Sequence, residues 1–334
     1  MYPTDPVFRA SRAGVLGPSR HGRKAKNTCS SAAVESYGRI MTVTVLDTAT
    51  SMAAVLDAAP AEREDRVRAM LAPAADMFRY FPGEVDLAQL HTMSMGFPLD
   101  RELERVKEAL ERFRAAEVWT RMHTALEDAI ALQRQALPGL EVPDVMAVLI
   151  LGDPTDEYFM HDALGLSGNG AVTGYLMLTV WPTEKNLERI EASVVHELNH
   201  NLRYAPGGVV WDPATVTVGE HVVGEGLADA FAREMYGDRL GYSPFGVQHL
   251  DDDAVFEKVV SGLAVTGMEN FGAWVIGDAA ARRFGATPVG LPTGAGYAVG
   301  NRLVDTYLAA TDKAASEALH VPSEEIITTA LRGS

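Results

Sequence analysis

His196-Glu197-Leu198-Asn199-His200, set within residues 183–206, is the stretch on which the reading of this chain turns. Two residues four apart on a helix are rotated by about 400°, so His196 and His200 fall on one face, one turn apart. Two imidazoles so placed can hold one Zn²⁺. Glu197 is offset by about 100° and stands beside such an ion, where a general base for a zinc-activated water belongs. The pattern needs a helix, and the surrounding residues predict one. Thr183 follows Pro182 as N-cap, and Glu184 suits the positive helix end. Leu187, Ile190, Val194 and Leu198 repeat at three and four residues, with no Pro or Gly before Pro206. The histidines lie beside that apolar stripe, which predicts a cleft at the edge of a core.

Hydrolytic zinc sites take three protein ligands and keep one position open. The third candidate is Glu225, in Glu220-His221-Val222-Val223-Gly224-Glu225-Gly226-Leu227-Ala228-Asp229-Ala230. Thr217 and Glu220 have the form of a capping box, so a second helix is predicted from there to Tyr236, ended by Gly237. Gly224, Gly226, Ala228 and Ala230 allow close approach of another backbone. A carboxylate buried among them without a partner would be costly, and a metal removes that cost. Asp229, one turn on, is placed to accept the second ring N–H of a zinc-binding histidine, or else to form a surface salt bridge. His221 is open to three readings: a substitute ligand, an oxyanion stabiliser, or a hydrogen-bonded helix histidine.

These residues resemble the gluzincin metallopeptidases, in which H-E-x-x-H and a downstream Glu-bearing helix form the site. Between His200 and Glu225 lie 24 residues, somewhat more than in thermolysin-like members. Glu225-Gly226-Leu227-Ala228 is similar to the N-E-G-x-A stretch of aminopeptidase-like gluzincins, with Gly224 in place of Asn. More narrowly, the chain resembles the DUF2268 group of zinc-dependent proteases, related to YjaZ. Three features carry this: His196-Glu197-Leu198-Asn199-His200-Asn201-Leu202-Arg203, then Glu225–Ala228, then Gly296-Tyr297-Ala298-Val299-Gly300 opening a C-terminal helix. The resemblance covers roughly residues 117–311. It implies Zn²⁺ held by His196, His200 and Glu225, with Glu197 as catalytic base and a peptide or protein as substrate. In zincins the strand before the zinc helix is an edge strand that pairs with extended peptide, and this likeness assigns residues 171–180 to that place. Tyr297, at a helix start, can donate a hydrogen bond to a tetrahedral intermediate; the alternative is a half-buried packing role.

The rest of the chain sets the frame. The 334 residues are 47% hydrophobic and 22% charged, ordinary for a folded protein. There is no apolar run of about 18 residues, so no membrane span is expected. A net charge of −16 argues against non-specific nucleic-acid binding. It favours basic or neutral substrates only weakly at physiological salt. The single cysteine, Cys29, excludes an internal disulfide or a multi-cysteine metal site; a reducing cytoplasm fits best, and a disulfide-free secreted protein is the alternative. Residues 1–40 carry seven basic groups against Asp5 and Glu35 and lack apolar periodicity. They read as a disordered basic tail or as an extension upstream of Met41.

Residues 41–140 read as mostly helical and 141–334 as a zincin-like domain. Helical spacing is found over 62–81, interrupted at Pro73, and over 100–115 and 118–137; residues 42–59 are ambiguous. Val145–Leu151 and residues 171–180 read as strands, and Gly165–Gly170 between them as a plain flexible loop. Asp251, Asp252 and Asp253 are read as capping the helix 254–263 rather than as a calcium site. The expected fold is α+β: a small sheet packed on the H-E-x-x-H helix, with helices before and after. The expected function is zinc-dependent hydrolysis of peptide bonds. Two rivals are a zinc-stabilised scaffold without catalysis, and a zinc hydrolase of a non-peptide amide or ester.

Overall fold

The continuous apolar run Val145–Leu151 forms an interior strand, as expected of a strand covered on both faces. A computed structural model describes residues 41–80, 83 and 86–332; the readings of residues 1–40, including Cys29, lie outside these. In chain order come β1 (Val43–Val45), α1 (Thr48–Asp57), α2 (Arg63–Leu71), α3 (Leu87–Met93), α4 (Leu103–Ala115) and α5 (Val118–Ala136). There follow β2 (Val145–Leu151), β3 (Leu166–Asn169), β4 (Tyr175–Val180), α6 (Glu184–Glu188), α7 (Ile190–Arg203) and α8 (Val218–Tyr236). The chain closes with α9 (Asp238–Gly241), α10 (Asp253–Val260), α11 (Asp278–Phe284), α12 (Ala295–Thr311) and α13 (Ser323–Arg332).

The fold class is α+β, with one four-stranded sheet among the described residues, in the order β1-β2-β4-β3. β1, β2 and β4 are parallel, with Val43 opposite Val145 and Leu149 opposite Leu178. β3 runs antiparallel to β4, with Gly168 opposite Leu178. α7 packs on β4, β3 and α5 and, beyond the sheet, against α8; α8 in turn packs on α12. Val194, Val195, Leu198 and Leu202 of α7 bury their side chains completely in the main core.

The sequence reading is corrected in four places. Residues 42–59, ambiguous by pattern, supply β1 and α1; Asp47 caps α1 by accepting from the Thr50 amide (3.0 Å). The stretch Gly165–Gly170 is no plain loop, because Leu166–Asn169 is the outer strand β3. Consequently residues 171–180 do not form the edge: the strand begins at Tyr175 and β4 lies inside the sheet. The helix predicted from Thr183 is two helices with a break at Arg189 (φ −109°, ψ 12°). Tethers on the first account for the break. Thr183 caps α6, and Asn186 Nδ2 donates to the Leu164, Gly165 and Trp181 carbonyls, fixing α6 to the hairpin while α7 follows the core.

Candidate metal centre and its cleft

α7 and α8 cross so that three side chains meet. His196 Nε2 stands 3.1 Å from Glu225 Oε2, His200 Nε2 stands 3.3 Å from the same oxygen, and the two Nε2 atoms are 3.2 Å apart. All three residues are buried. The i, i+4 spacing on α7 and the mid-helix position of Glu225 on α8 produce this meeting. The closeness of the helices comes from small residues. Toward α7, a Cβ at position 224 would lie 2.9 Å from the Tyr204 hydroxyl and 3.8 Å from His200 Nδ1; toward α12, one at 226 would lie 2.2 Å from the Gly300 carbonyl oxygen.

The donor set fits a divalent zinc ion. Asp229 Oδ1 lies 2.9 Å from His196 Nδ1 and accepts its proton, which leaves the Nε2 lone pair facing a carboxylate oxygen and a second imidazole. Lone pairs opposed at this distance call for a cation. Four-coordinate zinc with bonds of 2.0–2.1 Å separates neighbouring ligand atoms by about 3.3 Å, close to the edges of this triangle. Burial pushes the Glu225 carboxyl up, but His200 and His196 outweigh burial and hold it well below the usual carboxylate range.

Asp229 is itself fixed. It accepts from the Ser243 amide (3.0 Å), the Ser243 hydroxyl (2.7 Å) and Asn301 Nδ2 (2.8 Å). Asn301 also donates to the Tyr297 carbonyl (2.9 Å), which ties α12 to the same network. The surface salt bridge considered for Asp229 is therefore not formed. Ser243 and Asn301 carried no sequence signal of their own, since a lone Ser or Asn matches no spacing rule.

Glu197 projects from the same helix toward β3. Its carboxylate lies against Gly168, where a Cβ would stand 1.9 Å from Oε1, and its backbone carbonyl lies against Gly170, where a Cβ would stand 2.0 Å away. The two glycines are thus required by the approach of Glu197. Burial pushes the Glu197 carboxyl up, opposed by the two histidines.

These groups line a cleft of about 300 Å³ bounded by β3, α7, α8 and the loops around Tyr242–Phe245 and Phe271. Tyr297 stands in it half-buried, its ring 6.3 Å from that of His196 and edge-on to Phe245 at 4.7 Å. Burial, with Glu225 and Glu197 nearby, holds its hydroxyl well above the usual tyrosine range, so it stays protonated. Tyr204 also lines the cleft, with its ring parallel to His200 at 6.5 Å and its hydroxyl donating to Glu220 (3.1 Å). His221 reaches the cleft edge-on to Phe271 at 4.9 Å. Its Nε2 has no hydrogen-bond partner among the described residues, and burial pushes its pKa down to about 4. It is not a member of the converging triad.

The capping box at the start of α8 is half made. Thr217 accepts from the Glu220 amide (3.0 Å), but the Glu220 carboxylate turns instead to Arg203, at 2.7 and 3.0 Å. Asp252 caps α10 through the Val255 amide (3.1 Å), in keeping with the helix-capping reading of the Asp251–Asp253 run. No helix among the described residues is long and apolar enough to cross a membrane.

YjfC of Bacillus subtilis (strain 168), an uncharacterized protein, is 28% identical over 235 residues, covering 70% of this chain and 77% of the relative. No solved structure matches. The model of a family described as "Predicted Zn-dependent protease (DUF2268)" matches residues 118–328, from the start of α5 into α13 and over every cleft-lining residue but Met95, and the chain belongs to that family.

Proposed function

We propose that this protein is a zinc-dependent metallopeptidase of gluzincin type, with a zincin-like fold over residues 141–334, and that it hydrolyses peptide bonds in the cleft between β3 and α7. The observation that carries the reading is the buried Glu197 carboxylate set beside the His196–His200–Glu225 triangle and open to a substrate-sized cleft. A purely structural metal site has no use for such a base.

His196, His200 and Glu225 would hold the ion. Zinc, when bound, lowers the pKa of a coordinated water and polarises the scissile carbonyl. Glu197 takes the proton of the attacking water at its carboxylate and passes it to the leaving amine. Asp229 holds the His196 tautomer by accepting from Nδ1. Tyr297, kept protonated, donates its hydroxyl hydrogen to the developing oxyanion. The outer edge of β3 borders the cleft, and its backbone groups suit pairing with an extended peptide.

The test is a peptide-library digest paired with metal analysis. Glu197→Gln is expected to abolish cleavage with zinc still near one per chain, whereas Glu225→Ala is expected to lose the zinc. A fully active Glu197→Gln enzyme overturns the mechanism. Zinc whose removal lowers stability, with no hydrolysis of peptides, amides or esters, would support the scaffold reading. Hydrolysis confined to non-peptide amides or esters would move the substrate and keep the site.

A further inference from the structure

The cleft lining includes one lysine or arginine among the described residues, Arg189, and no carboxylate of those residues lies within ion-pairing distance of it. Nη1 donates to the Tyr242 carbonyl (3.0 Å) and Nη2 points at the Arg239 carbonyl (3.4 Å). A guanidinium carries five N–H donors, so three remain. The two carboxylates whose fields reach it are committed elsewhere. Asp229 is saturated by His196, Ser243 and Asn301, and Glu188 pairs with Arg239 at 2.6 Å. Asp162, also in the cleft lining, faces Thr293 (3.4 Å). A partly buried cation without a counter-ion loses hydration and gains little back, and a carboxylate ligand would compensate it through a two-pronged hydrogen bond.

The position is as informative as the vacancy of charge. Arg189, Ser193, His196 and His200 are spaced four, three and four residues apart, and all four line the cleft. They form one stripe along its floor, with the small half-buried Ser193 between the cation and the metal ligands. Arg189 stands at the N-cap position of α7, and seven steps of about 1.5 Å rise put its Cα about 10 Å along the helix axis from that of His196, the span of about three extended residues. The backbone carbonyls of the α8–α9 region hold the guanidinium in place in advance.

We propose that Arg189 selects substrates carrying a carboxylate within about three residues of the scissile bond. That carboxylate is either the C-terminal one or an Asp or Glu side chain. The inference rests on reading the cleft as peptide-binding. It runs against the net charge of −16, whose long-range field repels acidic ligands; at contact distance the unpaired guanidinium dominates.

The test uses zinc-loaded Glu197→Gln protein and dye-labelled hexapeptides of alanine and leucine, followed by fluorescence anisotropy. One set compares free with amidated C-termini. A second, fully amidated, compares Glu with Gln moved through each position. The carboxylate member of at least one set is expected to bind roughly 10- to 100-fold more tightly, the range of one charge-assisted hydrogen-bond pair. Arg189→Gln should reduce that ratio to below about 3, with Arg189→Lys intermediate. A response confined to the first set assigns the C-terminal carboxylate, and one confined to the second assigns an acidic side chain. Equal binding of both members, a preference that survives Arg189→Gln, or no binding of any peptide by the folded protein overturns the proposal. Carboxylate preference without cleavage by the unsubstituted enzyme would retain Arg189's role and remove the peptidase reading.

Discussion

Gly226 of α8 and Gly300 of α12 face each other so closely that a Cβ on Gly226 would stand 2.2 Å from the Gly300 carbonyl oxygen, and one on Gly300 would stand 2.1 Å from the Val222 carbonyl oxygen. Both obstacles are backbone, so no rotamer change relieves them. Gly226→Ala and Gly300→Ala should therefore each destabilise the protein by about 1–3 kcal/mol in urea unfolding, despite alanine's better helix propensity. Because Glu225 precedes Gly226, zinc retained on dialysis should fall as well. Unchanged or increased stability would contradict the close approach.

Gly168→Ala separates chemistry from folding. The obstructing atom is the end of the Glu197 side chain, which can swing away, rather than backbone. Zinc content and unfolding midpoint should stay near those of the unsubstituted protein, while hydrolysis falls by tenfold or more because the base is displaced. Full activity would show that Glu197 works from another rotamer.

Arg203 and Glu220 brace the ends of α7 and α8 nearest each other. Arg203, fully buried, also donates Nη1 to the Leu319 and Val321 carbonyls, at 2.7 and 3.0 Å. Glu220→Gln leaves a buried guanidinium without its counter-charge and should cost about 3–5 kcal/mol. Replacing both partners together, as Arg203→Met with Glu220→Leu, should cost less than the two single changes added, as measured by a double-mutant cycle. Additivity would mean that the pair does not act as a unit.

His91 makes stability pH-dependent. Burial pushes its pKa down to about 4, partly opposed by the Phe97 carbonyl that accepts from Nε2 (2.9 Å). Its Nδ1 has no partner among the described residues to accept a second proton. Between about pH 6.5 and 4 the unfolded chain therefore binds the extra proton and the folded one does not, so stability falls as pH falls through that window. The contribution of His91 to the loss between pH 7 and pH 5 is about 2 kcal/mol. His91→Gln should shrink the measured loss by about that amount; an unchanged pH profile would show that His91 is not responsible.

Much of the centre was legible because helical spacing is local. The four-residue interval of His196 and His200, the interval from Glu225 to Asp229 and the glycines of 224 and 226 each state a face or a close approach without reference to the rest of the chain. β3 was not legible: Leu-Ser-Gly-Asn has no alternation and little strand propensity, and its pairing comes from β4 beside it. Gly168 within it and Gly170 just after it looked like loop residues, yet they are there because Glu197 occupies the space a side chain would need. Ser243, Asn301 and Arg189 were invisible for a similar reason, being distant in sequence from what they touch or from the cleft they complete.

The sequence by itself determined the α+β class, the two ligand-bearing helices and the candidate ligands, since hydrophobic period, capping residues and i, i+4 spacing are properties of short segments. Tertiary structure alone decided which strand is the edge, where the helix before His196 breaks, that Glu220 turns from its own helix end to Arg203, and that Arg189 enters the cleft without a counter-ion among the described residues. Each of these depends on which surfaces the chain brings together and which polar groups burial leaves without water. No local pattern encodes that.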